Sequence, residues 1–178
     1  MYAAVRKSDG LKVAVKEVPR SKMTLGYEDV PLEVVILQQV RDIPGLATIQ
    51  DWHETRDCFY IVMERCAGHD LFDYISSQGS LAEDTSRTIF HKVRSWPRPL
   101  SLSSHQILEG ITSCHRAGVM HGDIKDENII IEPNTGAVTI IDFGSSLLLH
   151  PGDYSEFCGT REYSPPEWLT DRRYYQSE

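Results

Sequence analysis

Apolar and polar positions along the first third of the chain predict a small sheet interrupted by one helix. Residues 11–18 alternate Val13, Val15 and the aliphatic stem of Lys16 in a β-rich run that Pro19 closes. Pro31 suits a first helical turn, and Leu32, Ile36 and Val40 share one face of a predicted amphipathic helix over 32–40, with Glu33 on another face. Residues 47–52 and 58–63 predict a pair of strands joined by the polar turn 53–57. Beyond Gly68 the period becomes helical. Leu71, Phe72 and Ile75 share one side of a helix over 70–76, and 81–93 continues in that style. Residues 94–105 then intervene with two prolines and four serines, which cannot propagate a helix. A helical pattern resumes at Ile107, and short strands over 128–131 and 138–141 alternate with polar loops.

Composition acts mainly by exclusion. A length of 178 residues suits one domain. With 40% hydrophobic and 25% charged residues, wholesale disorder is not expected. A formal net charge of -8 disfavours nucleic acid as a partner and suits basic peptides. No apolar run approaches the ~18 residues of a membrane span, and no basic and apolar leader follows Met1. Cys58, Cys66, Cys114 and Cys158 are far apart and none has CxxC spacing, so free thiols are expected. The expectation is a soluble intracellular protein.

Chemistry concentrates in His121-Gly122-Asp123-Ile124-Lys125-Asp126-Glu127-Asn128. An Asp followed two positions later by Lys and five later by Asn is the layout of a phosphotransferase loop: a proton acceptor, a cation for the transferred phosphate, and a metal-holding amide. The bland alternative is a charged surface loop. Asp142-Phe143-Gly144 follows the apolar run 138–141. A carboxylate at a strand end can hold Mg²⁺, which takes hard oxygen ligands and shares them with phosphates. Val13-Ala14-Val15-Lys16 presents a lysine for the α- and β-phosphates, with Glu33 its candidate helix partner. Each of these residues alone reads as ordinary surface charge. The order Lys16, Glu33, Asp123, Asn128, Asp142 does not.

That set resembles the eukaryotic-type protein kinases, and most closely the serine/threonine kinases of the Pim family. The closer likeness lies in Asp51-Trp52, Met63-Glu64-Arg65, residues 70–75, 123–130 and 159–168. Lys125 together with Gly159-Thr160 follows the serine/threonine pattern. The resemblance implies an α+β, two-lobed protein-kinase-like fold, with residues 1–64 forming a small β-rich lobe and 65–178 part of a helical lobe. It implies ATP and Mg²⁺ as cofactors, Asp123 and Lys125 as catalytic residues, and Lys16, Glu33, Asn128 and Asp142 as nucleotide and metal positions. Met63 would be the gatekeeper, with Glu64 and Cys66 in the hinge that meets adenine. Residues 142–167 would be the activation segment, in which Thr160 helps position Asp123 and Lys125, and Tyr154, Ser155 and Thr160 are candidate phosphorylation sites. Asp70, Asp73 and Glu127 match acidic positions able to pair with substrate arginines. The implied partners are protein substrates with basic residues near the phosphosite, acted on by a monomer in the cytoplasm or nucleus.

The sequence departs from that family in four places. No G-x-G-x-x-G precedes Val13. Gly122 stands where the family usually has Arg, placing a flexible residue beside Asp123. Residues 94–106 split what is otherwise one helix, and are expected to be a retained intron or a misplaced splice boundary. The chain stops at Glu178, soon after Trp168, whereas a two-lobed kinase domain needs roughly 250 residues. The expectation is a domain incomplete at both ends, its competing reading a catalytically impaired fragment or pseudokinase acting as a binding module.

Overall fold

A computed structural model describes residues 1–26, 29–90 and 106–175. The expected helix break at 94–106 lies outside the described residues, apart from Gln106, which opens a helix. Strands β1 (Tyr2–Val5) and β2 (Lys12–Pro19) form an antiparallel hairpin. Helix α1 (Leu32–Val40) follows, then β3 (Ile49–Glu54) and β4 (Cys58–Glu64), which meet across the polar turn. The sheet runs β1-β2-β4-β3, so the sequence-distant β2 and β4 are neighbours and Lys16 sits opposite Ile61. Lys16 is therefore inside its strand, not at its end, because β2 continues through Pro19.

Helix α1 is buried nearly all round, not along a single stripe. Val34, Ile36, Leu37 and Val40 are wholly enclosed, Glu33 is also buried, and only Gln38 and Gln39 face water. The reason is its position: β3 and β4 cover one side, while residues of the second half of the chain cover another. That second half begins with β5 (His69–Asp70), α2 (Leu71–Gln78) and α3 (Glu83–Phe90). It continues through α4 (Gln106–Arg116), β6 (Val119–Met120), β7 (Ile129–Ile131) and β8 (Val138–Ile140). Last come β9 (Leu147–Leu148), β10 (Asp153–Tyr154), α5 (Pro166–Asp171) and β11 (Tyr174–Tyr175).

One apolar cluster unites both halves: Ile36, Leu37, Ile49 and Ile61 pack with Cys114, Val119, Ile140 and Phe143. Backbone bonds reinforce the junction, from Ala47 N to Ile140 O at 2.9 Å and from Ile140 N to Gly45 O at 2.8 Å. A second cluster joins Leu71, Ile89, Ile107, Ile129, Ile131 and Val138. The expected α2 face is only partly right. Leu71 is buried and Tyr74 and Ile75 pack against the same cluster, the i, i+3, i+4 face, while Phe72, about 100° round the helix from Leu71, is 52% exposed. The four cysteines are free, and among the described residues no helix is long and apolar enough to cross a membrane.

His121 is buried where the halves meet. Its Nε2 donates to the Ile141 carbonyl at 3.0 Å, its Nδ1 accepts from Asp123 N at 3.3 Å, and its ring stands edge-on to Phe143 at 4.8 Å. These bonds define the neutral tautomer. Burial pushes the imidazole below its ordinary range, and the Ile141 carbonyl and the Asp142 and Asp123 carboxylates offset only part of that.

Ile36→Ala is expected to cost about 2–5 kcal/mol in chemical denaturation, because it empties a wholly enclosed site. Phe72→Ala is expected to stay within about 0.5 kcal/mol. As pH falls through about 6.5 the unfolded chain binds a proton at His121 before the folded chain does, so stability present at neutral pH is lost on acidification. Calorimetry between pH 7.5 and 5.5 is expected to show a falling Tm whose slope is shallower in His121→Asn.

Candidate active site

Three elements that are remote in sequence deliver one ion cluster. Lys16 Nζ from β2 lies 2.7 and 2.9 Å from the two carboxylate oxygens of Glu33 on α1, and 2.7 Å from Asp142 Oδ1. Asp142 follows β8 in a left-handed conformation (φ 62°), which Asp tolerates better than most residues, and its carboxylate also accepts from Gly144 N at 3.3 Å. Burial pulls the Lys16 ammonium down, but Glu33 and Asp142 together outweigh it and its pKa rises. Burial pushes the Glu33 carboxyl up, with Lys16 offsetting only part. For Asp142, burial is outweighed by Lys16 and the Gly144 amide, and its pKa falls. Two carboxylates face one ammonium, so the cluster carries an excess negative charge that a divalent cation would balance.

The 121–128 loop is built mainly from its own backbone and polar side chains. Asn128 Nδ2 donates to Asp123 O at 2.8 Å and to Asp123 Oδ2 at 3.1 Å, while Asn128 N donates to Lys125 O at 3.0 Å. Asp123 Oδ1 accepts from Thr160 N at 2.8 Å. Lys125 Nζ donates to Thr160 Oγ1 at 2.7 Å and lies 3.2 Å from Asp123 Oδ2. Burial would raise the Asp123 carboxyl; hydrogen bonds from Thr160 and the Lys125 charge more than reverse this and keep it ionised at neutral pH.

Beside the ion cluster lies a mostly apolar cavity of about 360 Å³. Ala3, Ala14 and Ala47 leave it room, Ile130 and Ile141 add apolar surface, and Met63, Glu64, Arg65 and Cys66 form the edge along the chain after β4. Asp142 reaches the same cavity, so its apolar and charged ends are contiguous. A larger, more polar cavity of about 460 Å³ takes in Cys66, Arg41 and Glu132 and does not include Asp142. Position beside the charges, not size, marks the smaller cavity as the candidate nucleotide site.

Among the described residues, no group of three or more His, Cys, Asp or Glu side chains forms a self-sufficient metal site. Asp142 and Asn128 nonetheless offer the hard oxygen donors that Mg²⁺ takes while sharing phosphates with a nucleotide. Asn128 uses its amide nitrogen on Asp123, leaving Oδ1 for the metal.

The acidic residues expected to meet substrate divide into two kinds. Asp70 Oδ1 accepts from Asp73 N at 2.8 Å and caps α2, so this carboxylate has a structural task. Asp73 and Glu127 are exposed, on two elements that pack together: α2 and the short turn Asp126–Asn128. Sequence reasoning passed over Asp126, whose Oδ1 accepts from the Tyr163 hydroxyl at 3.1 Å. His121 stands in the same motif without an assigned role, and the cavity alanines carry no pattern that marks them. Of the hydroxyls in the 142–167 segment, Tyr154 is 4% exposed and stacks on Tyr174 at 5.2 Å, and Thr160 is tied to Lys125, while Ser155 faces water.

Comparison with known proteins agrees with this geometry. Residues 1–178 match the protein kinase domain family. The chain is 37% identical to serine/threonine-protein kinase prk-2 of Caenorhabditis elegans, covering 100% of this chain and 38% of that protein. It is 35% identical to serine/threonine-protein kinase pim-2 of Danio rerio, covering 98% of this chain and 57% of that one. The chain thus spans less than two thirds of these relatives. Among solved structures it resembles the Cydia pomonella granulovirus kinase PK-1, with a TM-score of 0.75 at 18% identity over 98% of this chain and 57% of that one, a likeness of fold. The ion cluster, the hydrogen-bonded loop and these matches lead to one conclusion: the chain belongs to the protein kinase domain family, among serine/threonine kinase relatives.

Proposed function

We propose that this chain transfers the γ-phosphate of ATP to serine or threonine hydroxyls of protein substrates, as a kinase of the Pim type. The observation that carries the reading is Asp142, whose carboxylate lines the apolar cavity and at the same time bonds the Lys16 ammonium that Glu33 also holds. It supports the reading because a cation able to meet phosphates and a carboxylate able to meet a metal ion stand side by side, as phosphoryl transfer requires. Adenine would occupy the cavity along Glu64 and Cys66. Lys16 would hold the α- and β-phosphates, with Glu33 keeping the ammonium aimed. A Mg²⁺ ion held by Asp142 and Asn128 would neutralise charge on the phosphates. Asp123, ionised and clamped by Thr160, would orient the substrate hydroxyl and take its proton, and Lys125 would steady the phosphate being transferred. Positioning and electrostatics supply most of the rate in such chemistry, so the rigidity of this loop matters more than any single group.

Basic peptides are the substrates this surface favours. Asp73 and Glu127 are exposed on adjoining elements, Asp126 lies next to Glu127, and the chain carries a net charge of -8. Charge-assisted bonds to arginine would use these carboxylates. The Pim placement rests on the likeness to pim-2 of Danio rerio and on the sequence patterns at 63–65, 70–75 and 123–130.

Purified protein, incubated with labelled ATP, Mg²⁺ and a serine peptide flanked by arginines, is expected to transfer phosphate, and Asp142→Asn is expected to lose on the order of 100-fold or more. Replacing the arginines with alanines is expected to raise KM more than it lowers kcat. A Mg·ATP-dependent rise in Tm with no transfer would instead favour a nucleotide-binding module without catalysis. Absence of both transfer and thermal shift would refute the kinase reading.

A further inference from the structure

A cavity of about 350 Å³ beside Thr160 carries positive charge in a chain whose net charge is -8. Gly159 and Arg161, on either side of Thr160 in sequence, both line it, as do Ser164, Trp168 and Arg172. Its wall thus holds two guanidinium groups and no carboxylate. Arg173, next in sequence, lies outside that wall and pairs with Asp153 at 3.4 Å. The Arg172 guanidinium stands over the Trp168 ring, 5.9 Å from its centroid, and Trp168 stacks with Phe157 at 5.8 Å. Such an aromatic wall lowers the local dielectric and strengthens attraction to an anion. Arg172 also holds a left-handed backbone (φ 57°) at the end of α5, where its N donates to Trp168 O at 3.2 Å. Glycine usually fills that place at lower conformational cost, so the turn itself does not call for arginine.

The cavity adjoins the groups assigned to transfer. Thr160 N donates to Asp123 Oδ1 at 2.8 Å, one residue from Arg161. Tyr163, in the same short turn Arg161–Tyr163, reaches the other way, its hydroxyl donating to Asp126 Oδ1 at 3.1 Å. The turn therefore meets a cationic cavity through its first residue and an acidic surface through its last. We infer that this cavity is a substrate subsite for an anionic side chain, held by Arg161 and Arg172 while basic residues of the same peptide meet Asp73 and Glu127. The anion is the carboxylate of aspartate or glutamate or the phosphate of phosphoserine, whose oxygens match the forked donors of guanidinium. The Ser164 hydroxyl in the same wall offers a further donor. The recognised peptide is bipolar, basic on one side of the target hydroxyl and acidic on the other. Both arginines are exposed, so solvent screens the attraction and limits the gain. The inference deepens the kinase reading and rests on it for the molecule that brings the anion, while binding alone reads the anion site.

The test uses the purified chain and fluorescent peptides with arginines on one side of a target serine. Alanine, glutamate or phosphoserine stands close on the other side, and each peptide is made in both chain directions. Anisotropy reads affinity, and steady-state kinetics with Mg·ATP reads transfer. In one direction the glutamate or the phosphoserine peptide is expected to bind about fivefold or more tightly than the alanine peptide. The larger of the two gains identifies the anion. Arg161→Gln and Arg172→Gly are each expected to shrink that preference to within about twofold. Glycine suits the backbone at 172, so the loss there is of charge and not of fold. Arg173→Gln gives up only the contact with Asp153 and is expected to keep the preference. Equal affinity for all the peptides, a preference kept in Arg161→Gln or in Arg172→Gly, or its loss in Arg173→Gln would each overturn the inference. Should the wild type show the preference yet transfer phosphate to none of the peptides, the kinase reading fails and the anion site stands. Should it phosphorylate all of them while binding them equally, the anion site fails and the kinase reading stands.

Discussion

One ammonium group joins side chains from both halves of this protein. Lys16 comes from the middle of the sheet, Glu33 from the buried helix, and Asp142 from the turn after β8, and Nζ of Lys16 bonds both carboxylates within 2.9 Å. Glu33 is 6% exposed, so removing its partner would strand a buried charge at a cost of about 3–5 kcal/mol. The Asp142 leg is weaker as a stabiliser because that carboxylate is 41% exposed. In the proposed mechanism that exposure leaves Asp142 open to a metal ion while Glu33 keeps Lys16 in place. Structure and chemistry therefore draw on the same three side chains, and α1 must sit deep in the fold for either to work.

The loop carrying Asp123 obeys a different constraint. Its members are held by short bonds to backbone groups, from Asn128 to Asp123 O, from Thr160 N to Asp123 Oδ1 and from Ser146 to His121 O. Such bonds cost little side-chain entropy and tolerate little displacement. His121 sits behind them as a neutral wedge, packed on Phe143 and bonded to Ile141, so the strand leading to Asp142 and the loop leading to Asp123 cannot move apart independently. A charge on that imidazole would disturb both.

Much of this was legible in the order of residues. The alternation around Val13 and Val15, the Pro31 start of α1 and the paired strands at 49–64 follow from period and turn chemistry alone, while the set Lys16, Glu33, Asp123, Asn128 and Asp142 came from motif spacing and the resemblance to the protein kinases. Two kinds of information were not. Which face of α2 turns inward depends on the cluster it packs against, which leaves Phe72 exposed, and the bond of Asp70 to Asp73 N depends on where the helix begins. That Arg161 and Arg172 share one cavity depends on the chain turning back between them, and nothing local distinguishes two arginines that line a cavity from two that stand apart. Burial of α1 on nearly all sides likewise reflects the second half of the chain closing over it, a tertiary effect that no single-helix pattern contains.

The most direct test of the central claim is a double-mutant cycle on nucleotide affinity, combining Lys16→Met with Glu33→Gln and measuring Kd for Mg·ATP by calorimetry. Glu33 bonds Lys16 and would not itself hold the nucleotide, so the account predicts strong non-additivity, with a coupling energy of about 0.5–3 kcal/mol and little further loss from Glu33→Gln once Lys16 is gone. Additive losses, or full affinity in Glu33→Gln alone, would contradict it.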